Sequence, residues 1–213
     1  MSYKEQLYKN ALKEIQRIYK ESQYNPDIDL YRSFDIMNAI NDNQIASKEW
    51  LANKIIPYIE KSKHKKVCLL GGWYGILGII LKTKYPDVKL VSVDSDKECI
   101  NTGKTLTNDI CEINFKDEDA LDYMLDIENK YDIIINTSCE HMEKNDIVLM
   151  NNLKGKHTIV CLQSNNYHSI QSHINTYDSL DGFVESLRLS EIFYKEEMEA
   201  PGGEYNRYMV IGR

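Results

Sequence analysis

The stretch Lys65-Lys66-Val67-Cys68-Leu69-Leu70-Gly71-Gly72-Trp73-Tyr74-Gly75-Ile76-Leu77-Gly78 decides the fold. A short apolar run breaks into a glycine-rich turn and resumes as an apolar helical pattern from Ile76 to Leu81. A second apolar run, Val88 to Val93, then ends on Asp94. Strand, backbone-exposing turn, helix and strand closing on a carboxylate form a unit suited to holding a nucleoside. Glycines let the main chain approach the ligand, and the acid accepts hydrogen bonds from ribose hydroxyls.

Outward from this unit, strands and helices alternate. Apolar runs predict strands over 66–70, 88–94, 112–116, 131–136, 157–162, 191–198 and 206–212. Helical spacing predicts helices over 75–83, 96–107, 118–127, 144–152 and 179–187. Such alternation predicts an α/β fold, a doubly wound, mostly parallel seven-stranded sheet with helices on both faces. Only Glu199–Tyr205 joins the last two strands, too short a link for a parallel crossover, so they are expected as a C-terminal antiparallel hairpin.

Upstream, helices are expected over 3–22, 30–41 and 46–60, with Pro57 kinking or ending the last. Residues 1–60 thus read as an N-terminal helical cap or lid, and 61–213 as a Rossmann-like core, together one compact domain.

Composition excludes several classes of function. A net charge of −7 and a pI near 5.3 argue against a nucleic-acid partner, because phosphate affinity depends on clustered Lys and Arg. The one dense basic run, Lys61 to Lys66, reads as a solvated loop. No run of eighteen apolar residues exists to span a membrane, and the polar N-terminus lacks an apolar signal segment, so a cytoplasmic protein is expected. The five cysteines form no C-x-x-C pair and read as structural thiols. His168 and His173 are five apart, on different sides of an expected helix, with no companion H-E-x-x-H, so no metal site is expected.

Helices first, then βα units, then a hairpin: this order resembles the class I S-adenosylmethionine-dependent methyltransferases. Gly71, Gly72, Trp73, Tyr74 and Gly75 resemble the family's first motif, which contacts the methionine part of the cofactor. Asp94, followed by Ser95, resembles the acid that binds both ribose hydroxyls. Asp119-Ala120 resembles the motif whose Asp bonds the adenine amino group. Tyr131 to His141 resembles the fourth motif, with Asn136 presenting a polar group to the cofactor or the reacting centre. The resemblance therefore implies S-adenosylmethionine as cofactor. Two departures stand out: Trp73 replaces the middle glycine of G-x-G-x-G, and Leu69 replaces the acid two residues before the turn. The misfit at Trp73 also argues against the G-x-G-x-x-G of a nicotinamide dehydrogenase.

Two readings of Trp73 stay open. With Tyr74 it lies against the sulfonium, a cation–π contact worth roughly 0.5–2 kcal/mol. Otherwise it packs under the N-terminal helices. Asn136-Thr137-Ser138-Cys139 matches only the first residue of the Asn/Asp-Pro-Pro-aromatic tetrad of amino-group methylases, so nucleobase methylation is poorly supported. Asn136 has a second reading, as the cap of the following turn. Candidate catalytic groups are Asn136, His141 as general base, and Tyr167 in the polar loop Gln163–His168. The expected reaction is methyl transfer to a small-molecule acceptor. The alternative is attack at the aminobutyryl carbon, as in enzymes similar to nicotianamine synthase or azetidine-2-carboxylate synthase, which needs a small acceptor or none and releases methylthioadenosine.

Overall fold

The computed structural model describes residues 1–126 and 130–213. Three helices lead: α1 (Tyr3–Ser22), α2 (Tyr31–Ala39) and α3 (Asp42–Lys61). The alternating unit follows as β1 (Lys66–Leu70), α4 (Ile76–Lys84), β2 (Lys89–Asp94), α5 (Lys97–Thr107), β3 (Asn114–Asp117) and α6 (Ala120–Asp126). It continues through β4 (Ile133–Asn136), a 3-10 turn (Cys139–His141), α7 (Lys144–Leu153), β5 (Ile159–Asn165) and α8 (Leu180–Leu187). The chain ends in β6 (Ile192–Glu199) and β7 (Asn206–Gly212). The last residue of the predicted helix 118–127 lies outside the described residues.

The seven strands lie in the order β3-β2-β1-β4-β5-β7-β6. The first five are parallel, and β7 runs antiparallel to both β5 and β6. Inserting an antiparallel strand between β5 and β6 departs from the 3-2-1-4-5-6 order of dinucleotide-binding sheets. The switch in strand order falls between β1 and β4, and ligands bind beyond the carboxyl ends of the strands at such a point.

Each face of the sheet carries its own core. On one face, Leu7 and Ala11 of α1, Leu51 and Ile55 of α3, and Ile76, Ile79 and Ile80 of α4 pack on Val67, Leu69 and Ile135. On the other, Tyr123, Met124, Ile147 and Phe183 cover Cys68, Leu70, Ile134 and Leu162. Residues 1–60, expected as a cap within one compact domain, contribute both to the core and to the cleft. Helices α1 and α3 are part of the first core layer, and it is α2 with the adjoining start of α3 that reaches the carboxyl ends of the strands.

Two expectations are corrected. Pro57 does not end α3, which runs one more turn to Lys61. Its ring is exposed, and so is Asn53, whose carbonyl loses its partner toward water rather than toward the core. Gln163, Ser164 and Asn165, expected in a loop, are the buried last residues of β5, because antiparallel pairing with β7 extends the strand as far as Asn165–Arg207.

Candidate active site

Beyond the carboxyl ends of β1, β2, β4 and β5 lies a cleft of about 720 Å³, within the range of small-molecule sites. One wall comes from strand ends: Gly71 and Trp73 after β1, Asp94 and Ser95 after β2, and Asp119 after β3. The other comes from later loops: Ser138, Glu140 and His141 after β4, Tyr167 and His173 after β5, and Tyr205 and Arg207 from the hairpin. Tyr31, Asp35, Asn38 and Gln44 of α2 and α3 overhang both.

The turn after β1 is shaped for close approach. Gly71 has φ +60°, and a Cβ there would stand 3.0 Å from Ser138 Oγ. At Gly72 a Cβ would come within 2.0 Å of Ser92 Oγ, so the second glycine is needed for packing against β2 rather than for the ligand. Trp73 holds φ +49°, the left-handed conformation that a glycine adopts freely and that costs another residue about 1–2 kcal/mol. Its peptide N–H donates to Asp94 Oδ2 at 2.8 Å and its indole Nε1–H to Asp35 Oδ2 at 3.1 Å.

Tyr74 is fully buried and does not face the cleft. Its hydroxyl donates to Asp35 Oδ2 at 2.6 Å and accepts from Arg32 Nη1 at 3.2 Å. Arg32 in turn bonds Asp96 Oδ2 at 2.9 Å. The Trp-Tyr pair, stacked at 5.3 Å, thus fastens the turn after β1 to α2. The indole does line the cleft, with Lys48 Nζ 5.8 Å from its ring centroid. The geometry therefore favours the bracing reading over sulfonium contact. Trp73→Leu is expected to weaken S-adenosylmethionine and the uncharged S-adenosylhomocysteine alike. Calorimetry with both ligands checks this; a loss confined to the charged ligand would restore the sulfonium contact.

Asp94 stands at the carboxyl end of β2, on the rim of the cleft. Oδ2 accepts from Trp73 N–H and Oδ1 from Asp96 N–H at 3.0 Å, leaving each oxygen a further lone pair. Burial raises its pKa above the ordinary carboxylate range, against the two backbone bonds that lower it. Asp119 Oδ1 caps α6 by accepting from Leu121 and Asp122 N–H. Ser95 lines the cleft; Gly75 and Ala120 do not. Gly75 takes φ +74° and lies against Phe115, where a Cβ would come 2.8 Å from the ring. Two carboxylates on one rim and a glycine backbone free to approach fit S-adenosylmethionine.

Asn136 is not presented to the cleft. It is buried, its Oδ1 accepts from Ser138 N–H at 2.9 Å, and its Nδ2 faces Met142 Sδ, so it caps the turn after β4. His141 and Tyr167 do line the cleft, and the Tyr167 ring stacks on Tyr205 at 5.0 Å. His168 instead faces outward to Thr176 and Asp178. The segment between His168 and His173 is not helical, and His173 meets His141 rather than His168, with ring centroids 4.7 Å apart.

Sequence reading missed a buried charge cluster. Glu140 and Arg207 are 2% and 5% exposed, and Glu140 Oε1 accepts from Arg207 Nη1 at 2.7 Å and Asn165 Nδ2 at 2.8 Å. Lys48, 7% exposed, donates to Gln44 Oε1 in a recess that shares Glu140 and Arg207 with the cleft. The one available signal was Lys48 falling on the apolar side of α3, three residues before Leu51.

Burial and the Arg207 guanidinium, opposed by Glu140, bring the Lys48 ammonium down to about 7. The unfolded chain keeps that proton up to the ordinary value of 10.5, so unfolding takes up a proton between about 7 and 10.5. Stability is therefore expected to rise with pH across that window. Lys48→Met should remove the rise and be the more stable protein below it. Urea unfolding of both chains over this range checks the prediction, and parallel profiles would contradict it.

Residues 52–151 match the family model for the methyltransferase small domain. Among solved structures, the chain is similar to a S-adenosylmethionine-dependent methyltransferase from Agrobacterium tumefaciens, with 16% identity over 80% of this chain and 62% of that one and a TM-score of 0.57. It thus spans about three-fifths of that enzyme's length. It is also similar to the N-methyltransferase NodS from Bradyrhizobium japonicum WM9, with 12% identity over 81% and 98% and a TM-score of 0.60. A third similar structure is magnesium protoporphyrin IX methyltransferase (ChlM) from Synechocystis PCC 6803 with bound S-adenosylmethionine, with 13% identity over 82% and 83% and a TM-score of 0.57. No curated protein sequence matches the chain significantly. Identities this low establish the shared fold. Residues 52–151 thus carry the methyltransferase small domain, on a chain with the fold of the S-adenosylmethionine-dependent methyltransferases to which it is similar.

Proposed function

We propose that the protein transfers the methyl group of S-adenosylmethionine to a small, polar acceptor. The observation that carries this reading is the division of the cleft. Gly71, Asp94 and Asp119 form a cofactor side, while His141, Tyr167, Tyr205 and Arg207 form an acceptor side, with α2 above both. The overhang of α2, tied to the cofactor turn through Asp35, limits the width of what enters and acts as the lid of this site. A chain of net charge −7 offers little to a nucleic-acid phosphate backbone.

The roles follow from chemistry. Asp94 takes the ribose hydroxyls, Asp119 the adenine edge and the Gly71 backbone the methionine tail. An amine, hydroxyl or thiol acceptor gives up a proton, and His141 is the acceptor-side group placed to take it. Tyr167 and Tyr205 supply a flat apolar wall. Asn136 holds the turn that carries Glu140 and His141, and so positions rather than touches.

Incubation with S-adenosylmethionine and pooled small amines, alcohols and thiols, followed by mass analysis, tests the proposal. S-adenosylhomocysteine with a methylated small molecule is expected. Methylthioadenosine would replace methyl transfer by attack at the aminobutyryl carbon, and turnover confined to added RNA or DNA would overturn the small acceptor.

A further inference from the structure

We propose that Glu140, His141 and His173 form a binding site for one divalent transition-metal cation on the acceptor side of the cleft. Each of the three offers one ligand atom, and these atoms lie within 4.8 Å of one another. Metal–ligand bonds of about 2.0–2.2 Å place ligand atoms roughly 3–3.5 Å apart, so the set closes by about an ångström or more around an ion.

The orientation of each group supports the assignment. His141 Nδ1 lies 3.0 Å from the Ser172 carbonyl oxygen, and His173 Nδ1 lies 2.7 Å from that of Tyr167. A carbonyl only accepts, so both rings carry their proton on Nδ1 and keep a lone pair on Nε2. A second partner that fixes the tautomer in this way is the usual accompaniment of a metal-ligating imidazole. Glu140 supplies an independent observation. Its Oε1 is taken by Arg207 and Asn165, while Oε2 is buried without a partner, although such an oxygen is costly to leave unbonded.

The two loops are built to hold these groups together. Asn175 N–H donates to the Glu140 carbonyl at 3.1 Å, and Asn175 Nδ2 to the Cys139 carbonyl at 3.2 Å. The loop after β5 is thereby pinned to the turn after β4, bringing His173 beside His141. Two neutral imidazoles and one carboxylate suit Zn²⁺, Mn²⁺, Fe²⁺ or Co²⁺ rather than Mg²⁺, which prefers oxygen. Three protein ligands leave positions open for water or for an acceptor oxygen or nitrogen, whose proton a bound cation makes easier to lose. His141 would then act through the ion rather than as a free base. Arg207 and Lys48 lie on the buried side and oppose the ion's charge, so moderate rather than extreme affinity is expected. The site stands independently of which atom of S-adenosylmethionine is transferred.

The untagged 213-residue chain, freed of metal, is titrated with Co²⁺ while its visible absorption is followed, then with Zn²⁺ in competition, and separately with Mg²⁺. One equivalent of Co²⁺, displaced by Zn²⁺ and without a thiolate charge-transfer band, is expected. His141→Ala and His173→Ala should each weaken binding at least tenfold, whereas His168→Ala, outside the cluster, should leave it unchanged. Circular dichroism shows that each variant is folded. Absence of a one-equivalent site, binding insensitive to His141 and His173, a thiolate band, or preference for Mg²⁺ would overturn the proposal. Product analysis with S-adenosylmethionine reads methyl transfer separately, so either reading can fail without the other.

Discussion

Arg207→Met is expected to lower folding stability by about 3–5 kcal/mol, because it leaves the Glu140 carboxylate buried without its cation. Arg207 stands on β7 in register with Asn165 of β5, and both converge on Glu140 Oε1. Removing one partner exposes the desolvation cost of the other in full. Glu140→Leu combined with Arg207→Met removes both charges, so the double variant should recover most of the loss. Urea unfolding of the two single variants and the double variant measures the coupling. Additive losses would mean that the pair is not coupled and that surrounding packing carries its effect. The prediction concerns stability alone: replacing a buried ion pair with apolar groups is often neutral for folding, so the pair's presence in the cleft points to a role at the site.

Asp94→Ala should cost about 2–4 kcal/mol of affinity for S-adenosylmethionine, since charge-assisted bonds to two ribose hydroxyls disappear. The side chain also holds the N–H groups of Trp73 and Asp96, so part of the loss comes from a loosened turn. Asp94→Asn keeps a neutral oxygen to hold one of these N–H groups and removes the charge, which separates the two contributions. Calorimetry reads the affinity and thermal unfolding reads the turn. An unchanged dissociation constant in Asp94→Ala would mean that the cofactor lies elsewhere.

Which parts of the architecture were legible follows from where the physics is local. The turn Gly71–Gly75 between two apolar runs, and Asp94 closing the second, are written in consecutive residues and their spacing. The short link Glu199–Tyr205 forces β6 and β7 antiparallel by length alone. Other features depend on contacts that sequence spacing does not contain. Tyr74 looked like a ligand-facing ring because its partners, Asp35 and Arg32, lie some forty residues upstream. Asn136 sits at the tip of a strand like a site residue, yet it is used up two residues later by Ser138 N–H. The Glu140–Arg207 pair spans 67 positions, and nothing near either residue announces burial. Lys48 is likewise buried by the tertiary approach of β7 and the turn after β4. His141 and His173 read as unrelated because two different loops bring them together. Glycine spacing made the cleft wall after β1 and β2 readable, while long-range pairing hid the wall built by the loops after β4 and β5 and by the hairpin.

Calorimetric titration of the protein with S-adenosylmethionine, and in parallel with NAD, tests most directly the assignment of the cleft above β1 and β2. One site of micromolar affinity for S-adenosylmethionine, roughly −7 to −8 kcal/mol, is expected, with no response to NAD. Tight binding of NAD with no response to S-adenosylmethionine would contradict the account.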